Sequence, residues 1–580
     1  LQGSNPSIHA NLGKSQFAAD PLFAGRLDEV LVTDTVLTAA QVAGLMANTA
    51  PQFDATTITL PPVARGTAIA SSLAGRATDA DAGDSLTYGK ANGPAWLSVA
   101  ANGTLSGTPT GSDQGPQEFV VTATDSKGSV AYATLLVPLS SLYWRGDANN
   151  VWSHSSAGNT NWATDQAGGV DAGGLPTATS DVVFAATTAG NLPAITLGAN
   201  ATARGIRVTS STGVTLGGSH SLALGADGFT ITPGGGASTI STSGGVVLAA
   251  NQTWDLAAGL TVSSATSGGA ALVKSGTGTL TVTGAAAHTG GTTIAAGTLQ
   301  VGTGGTTGSL AGNVVANGTL IVDRSTDLTM SGTISGSGAV VNRSGGRLTL
   351  ATTNTFTGGA TIGSQTGAGV VRATASGALG TGTVLVGPGG NATTARLELA
   401  GDVTLANAIS LPLRNNTSVA IQNISGANTL SGTIEVAVGG GTGIIQSDAG
   451  TLTLGGVTSA ATGPRTITLQ GAGNGTVGGV VANGAGTVGI VKAGTGTWTL
   501  GGGNTATGEL TISAGTLALA AANRIADAAP LTLGGGTLAT GGFSDTVGTL
   551  TLTANSAIDL GAGASVLSFA GAGSWTAGRT

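Results

Sequence analysis

Cysteine is absent from the 580 residues, which excludes a disulfide framework, a cysteine-ligated zinc site and thiolate catalysis. Charged residues reach only 8% and aromatic residues 3%. The net charge of −7 is spread thinly, with no basic stripe of the kind a phosphate backbone requires, so nucleic acid is not an expected partner. No run of 18 apolar residues occurs, because Gly, Ser and Thr interrupt every apolar stretch, and no transmembrane helix is expected. The four histidines, His9, His154, His220 and His288, are scattered without metal-ligand spacing.

Glycine is abundant, with 101 residues, yet without the G-X-Y period of collagen. Val, Leu and Ile are too frequent for a disordered linker. What remains is an all-β architecture of small side chains and many tight turns, long enough for two or more domains. The opening "LQGSNPSIHANLG" and the closing "SWTAGRT" read as the interior of a longer protein, cut at both ends.

Four segments are expected. In residues 1–49, "FAGRLDEVLVTDTVLTAAQVAGLMA" (Phe23 to Ala47) holds an alternating strand, Leu27 to Val32, then a short amphipathic helix beginning at Thr38. It resembles the C-terminal end of a concanavalin A-like (laminin G-like) jelly-roll domain, which implies a partial jelly-roll fragment with Asp28 and Glu29 as framework residues. Residues 50–140 alternate strand-like runs with turn signals at β-sandwich spacing. There "ATDADAGDSLTYGKANGPAWLSVAANGTLSGTPT" and "FVVTATDSKGSV" resemble cadherin-like or immunoglobulin-like modules of bacterial surface proteins. The resemblance implies that Trp96 and Leu97 are buried and that Gly107-Thr108-Pro109 turns the chain. Residues 141–184, with Trp144, Trp152 and Trp162, resemble the entry segment before autotransporter-associated repeats and suit a cap over the first rung of an elongated β-fold.

Residues 185–580 repeat themselves. "VKSGTGTLTVTGAAAHTGGTTIAAGTLQV" (Val273 to Val301) returns as "VKAGTGTWTLGGGNTATGELTISAGTLAL" (Val491 to Leu519). Aligned on Leu280, Leu348 and Trp498, the copies place Ile294, Ile362 and Ile512 at one offset, and a looser copy carries Leu452 and Ile467. A period near twenty in short strands means coils whose equivalent strands stack, aliphatics inward and Thr or Ser outward. The fold class is therefore a right-handed parallel β-helix (solenoid) behind an N-terminal β-sandwich. About 20–24 residues per coil give roughly 16–20 coils and a rod on the order of 80–95 Å long. The motif K-x-G-x-G-T-L/W-T-L…T-G-x-x-T-I-x-x-G-T-L resembles the autotransporter-associated β-strand repeat.

Chemistry-bearing residues are few. Asp79, Asp81, Asp84 and Asp125 form the one metal constellation: D-x-D-x-x-D at a domain edge could offer the several carboxylates calcium needs, while the simpler reading is an Asx-rich turn solvating a loop. Beyond residue 185 the only lysines, Lys274 and Lys492, share one repeat position, which argues for a repeat role. Asp227, Asp255, Asp402, Glu435, Asp448, Glu509 and Asp545 stand isolated. Asp323, Arg324 and Asp327 read as a polar loop with a surface ion pair, and Arg414 to Asn416 as a turn. No catalytic residue, no organic cofactor and no G-x-S-x-G elbow is expected. These features point to a non-enzymatic extracellular bacterial surface protein, a stalk in adhesion or in an extracellular assembly such as a fibre or surface layer. Its partners would be a glycan, another surface ligand or further copies of itself. A polysaccharide-binding or polysaccharide-degrading β-helix is the alternative, and a sandwich that binds glycan beside an inert helix is a third reading.

Overall fold

The computed structural model describes residues 35–580 apart from 47, 64–66, 82, 110–112, 114–116, 186–191, 365–367 and 390–393. The expected strand Leu27 to Val32, Asp28, Glu29 and His9 lie outside the described residues. The chain divides into two compact units, Leu1–Leu139 and Ser140–Thr580.

The first unit contains the helix Ala39–Met46. Thr38 and Gln41 start it with a reciprocal capping box: the Gln41 N–H donates to Thr38 Oγ1 and the Thr38 N–H donates to Gln41 Oε1. Two sheets follow. One orders Thr57–Thr59, Val130–Val137, Gln117–Thr124 and Thr87–Asn92; the other orders Ser71–Ser72, Thr104–Gly107 and Leu97–Val99. Burial alternates along Gln117–Thr124, as period-two side chains require, and Phe119 and Val121 join Leu73, Leu97, Leu105, Leu135 and Val137 in the core. Leu97 is fully buried as expected, but Trp96 is only half-buried. Its ring lies edge-on to Phe119 at 5.1 Å and covers the core rim. Gly107 ends the strand Thr104–Gly107 opposite Leu97 with φ +144°, and a Cβ there would meet the Trp96 carbonyl oxygen at 1.9 Å, so this close approach needs glycine.

The second unit opens with aromatic packing. Trp144, Trp152 and Trp162 are buried with Phe184, with Trp162 centred 5.0 Å from Trp144 and 4.7 Å from Trp152. The Trp162 indole N–H donates to the Trp152 carbonyl at 2.9 Å, so burial leaves no orphan donor there. Ser141–Trp144 pairs antiparallel with Trp162–Ala163 on one side and parallel with Asp181–Phe184 on the other. The described strands paired beyond that point are parallel, in sheets of 14, 13, 12 and 8 strands that together make a β-solenoid of about 17 turns.

Register is kept to the residue along the 13-stranded sheet, whereas bulges shift it at points in the 14- and 12-stranded sheets. In the 13-stranded sheet Leu260, Leu280, Leu299, Leu320, Val340 and Ala360 are successive partners, all buried. Between them point Thr261, Thr281 and Thr361, half-exposed. The repeat copies do not keep to one face, however. Leu280 lies in the 13-stranded sheet, Leu348 in the 12-stranded sheet and Trp498 in the 8-stranded sheet. Each copy sets how one rung follows the next, whereas the face it occupies depends on the lengths of the corners between copies.

Candidate functional site

In the first unit the loop after Ala77–Thr78 and the hairpin after Gln117–Thr124 bring carboxylates together. Asp79, Asp84 and Asp125 each place an oxygen within 4.8 Å of the others. Asp125 is buried and fixed by local backbone: its Oδ1 accepts from the N–H groups of Lys127 and Ser129 at 2.8 and 2.9 Å. Its Oδ2 accepts from the Asn48 amide at 3.0 Å. Burial pushes the Asp125 carboxyl up, but the Asn48 amide and the backbone N–H groups of Ser129, Lys127 and Gly128 outweigh it and hold the pKa below the ordinary value. The fourth expected residue, Asp81, stands at the edge, accepting from the Thr49 N–H at 2.7 Å with Lys127 Nζ at 4.0 Å.

Three buried oxygens at this place accept no hydrogen bond: Asn48 Oδ1, Asp79 Oδ2 and Asp84 Oδ2. Lys127 Nζ lies 3.5 Å from Asp84 Oδ2 and supplies partial charge compensation. Hard oxygen donors from three carboxylates and an amide match the ligand chemistry of calcium. Sequence reading missed Asn48, because it stands 77 residues from Asp125 and outside the D-x-D-x-x-D string.

The solenoid buries its scarce cations. Lys274 and Lys492 are fully inaccessible, and each ammonium donates to three carbonyl oxygens. Lys274 reaches Ser275, Gly276 and Ala296; Lys492 reaches Ala493, Gly494 and Ala514 at 2.8, 2.9 and 3.0 Å. Each lysine thus ties a corner to the rung beyond it, the repeat role expected from the shared position. Burial lowers both pKa values to about 8, opposed at Lys274 by the charge of Asp255. In the copy built on Leu348 the same offset holds Asn342, whose amide donates to the Gly346 and Val370 carbonyls.

Two polar readings need correction. Asp327 pairs with Arg347 at 2.8 Å, across one rung, while the Arg324 guanidinium turns to the Gly308 carbonyl and Thr326 Oγ1. Arg414 is no turn residue: it is 1% exposed, its guanidinium bonded to the Ala395 carbonyl, and burial lowers its pKa to about 10. His288 is also interior, bridging Thr266 Oγ1 and Thr292 Oγ1 at 3.0 and 2.9 Å.

The most connected acid is one that the sequence reading passed over. Glu398 is 1% exposed and receives three guanidiniums: Arg347 Nε at 2.9 Å, Arg372 Nε at 2.8 Å and Arg396 Nη2 at 2.6 Å. Two of these contacts cross rungs, 51 and 26 residues away, a spacing visible only once the local coil length is known.

Known proteins resemble parts of this chain. The family model described as Putative Ig domain matches residues 50–138. The passenger-associated-transport-repeat model matches residues 272–301, 344–365 and 490–519, the stretches aligned above on Leu280, Leu348 and Trp498. A 53-residue stretch is 57% identical to the adhesin BmaC autotransporter of Brucella suis biovar 1 (strain 1330), covering 9% of this chain and 2% of that relative. An endo-fucoidan hydrolase of glycoside hydrolase family 107 is 29% identical over 16% of this chain and 14% of its own; at a TM-score of 0.15 the likeness carries no argument. The chain is thus a β-solenoid that carries autotransporter-type passenger-associated transport repeats behind an Ig-like module.

Proposed function

We propose that the chain serves as the stalk of an extracellular, adhesin-like bacterial surface protein and catalyses no reaction. The observation that carries this reading is the parallel stacking of strands over about 17 turns, with stretches that match the passenger-associated-transport-repeat model. Rungs bonded along their whole length leave few exposed flexible loops, so such a stack resists proteolysis and holds binding modules away from a cell. A hydrolytic role is disfavoured by Glu398, since a general acid or base needs an oxygen aimed at substrate and both of its oxygens are engaged by guanidiniums. Beads coated with the whole chain should adhere to host-cell or polysaccharide-coated surfaces well above albumin-coated beads, without release of reducing sugar. Adhesion at the albumin level, or sugar release from the coating, would overturn this reading.

Within the first unit we infer that Asp79, Asp84 and Asp125 take a calcium ion, with Asp81 and Asn48 at its margin. The support is the set of buried oxygens without donors beside a carboxylate already held ionised. Calcium should raise the melting temperature of this unit in the whole chain and chelator should lower it, while Asp84→Asn should remove the difference. Equal melting with calcium and with chelator contradicts the assignment.

A further inference from the structure

One outward face of the 12-stranded sheet differs from the Thr-rich surface elsewhere. Thr349, Arg372, Glu398, Gln422, Gln446 and Gln470 are successive register partners in six adjacent strands. Arg347 and Arg396 flank this column in the neighbouring one, separated only by Val370. The three arginines meet Glu398 from three different rungs, and their side chains remain 30%, 26% and 32% exposed.

The balance of charge is positive at this end. Three guanidiniums face Glu398 and the exposed Asp327, which leaves one cation uncompensated among these five groups; the third acid of the face, Asp448, lies further along beside Gln422 and Gln446. Glu398 takes one edge of each guanidinium and thereby fixes its orientation. Of five N–H donors per arginine, those not used on Glu398 or Asp327 are directed away from the acid. Planar donors already held in place suit a carboxylate or a sulfate ester, and little side-chain entropy remains to be lost on binding.

Beyond the arginines the column continues as amides. Gln422 and Gln446 donate to the two oxygens of Asp448, each at 2.6 Å, and Gln470 donates to Gln446 Oε1 at 2.6 Å. The side chains are therefore locked in an array that repeats at the rung spacing of about 4.8 Å, close to the length of one sugar in an extended polysaccharide. Each of these amide NH2 groups uses one N–H on its neighbour, which leaves the second for a hydroxyl group. No aromatic ring belongs to this column, so the stacking platform that a single-stranded nucleic acid needs is missing.

We propose that this face binds an acidic polysaccharide, its anionic group on Arg372 and Arg396 and its neighbouring sugars along Gln422, Gln446 and Gln470. The inference deepens the adhesin-like reading and rests on it for its biological sense, but its test does not depend on cells. The purified whole chain would be titrated against immobilised polygalacturonate, dextran sulfate, neutral dextran and single-stranded DNA. The acidic polysaccharides should bind, with the carboxylate and sulfate arms distinguishing the preferred anion, and neutral dextran and DNA should not. Arg372→Gln should weaken binding at least about tenfold, the loss of one charge-assisted contact. Glu398→Gln should strengthen binding, because it frees donors and removes a repelling charge. Gln446→Ala, remote from the arginines, should weaken binding about threefold. Arg579→Gln, at the exposed C-terminal end, should have no effect. Absence of binding to either acidic polymer, equal binding to neutral dextran or DNA, or shifts of the same sign for Arg372→Gln and Glu398→Gln would overturn the proposal. If beads adhere while the acidic polymers fail, the stalk reading survives and only this ligand assignment falls.

Discussion

At the scale of single residues, several of the polar groups that the solenoid turns inward supply donors to backbone carbonyls. Lys492 satisfies three carbonyls at once. Lys492→Met keeps the packing volume and abandons those acceptors, and should cost about 2–4 kcal/mol in chemical denaturation. Lys492→Asn, the solution already used at Asn342, should cost less. The two lysines also set a pH dependence. Folded, each releases its proton at about 8, against 10.5 unfolded, so between those values the unfolded chain binds more protons and stability rises with pH. Melting curves from pH 7.5 to 10 should show that rise, and it should be smaller in Lys274→Met/Lys492→Met. A second residue-scale test uses size. Gly475 is the register partner of Trp498, and a Cβ on it would come within 2.5 Å of the indole. Gly475→Ala should destabilise by about 1–3 kcal/mol through overpacking. Trp498→Leu alone leaves a void, and the double substitution should be less damaging than the sum of the two.

At the scale of elements, corners matter as much as strands. Gly471 has φ +112°, and a Cβ there would sit 1.8 Å from the Ser447 carbonyl oxygen of the previous rung. Gly471→Ala should therefore disturb the rungs around residues 447 and 471 first. Hydrogen exchange should quicken there while rungs near residue 280 keep their protection, since each rung contacts only its neighbours. Much of this element-level structure was legible in the sequence. T-x-T-L alternation fixed which side chains face inward, and the shared offset of Lys274 and Lys492 announced a common role. The arginine–glutamate cluster was not legible, because its partners meet across rungs of 23 to 26 residues, longer than the twenty-residue repeat suggested. The buried Arg414 was hidden for a related reason: nothing local in "RNN" shows that the Ala395 carbonyl lies within reach. In the first unit the D-x-D-x-x-D string exposed two of the gathered carboxylates, Asp79 and Asp84, while Asp125 comes from a distant hairpin and Asn48 from the segment before the sandwich.

For the whole molecule, stability should behave as a sum of rung energies and rung–rung interfaces, with backbone ladders and a continuous aliphatic column in place of charge pairs. The account requires that residues twenty apart in sequence be nearest neighbours and residues eighty apart be four rungs distant. The natural absence of cysteine makes that directly measurable, because engineered pairs have no competing thiols. Thr261 and Thr281 are outward register partners, and a parallel-strand separation of about 4.8 Å lies within the range a disulfide can bridge. Mild oxidation of Thr261→Cys/Thr281→Cys should give a rapid intramolecular disulfide. Thr281→Cys/Thr361→Cys, whose positions are separated by the partners Gln300, Ile321 and Val341, should give none. A bridge in the second pair, or none in the first, would contradict the stacked-coil architecture.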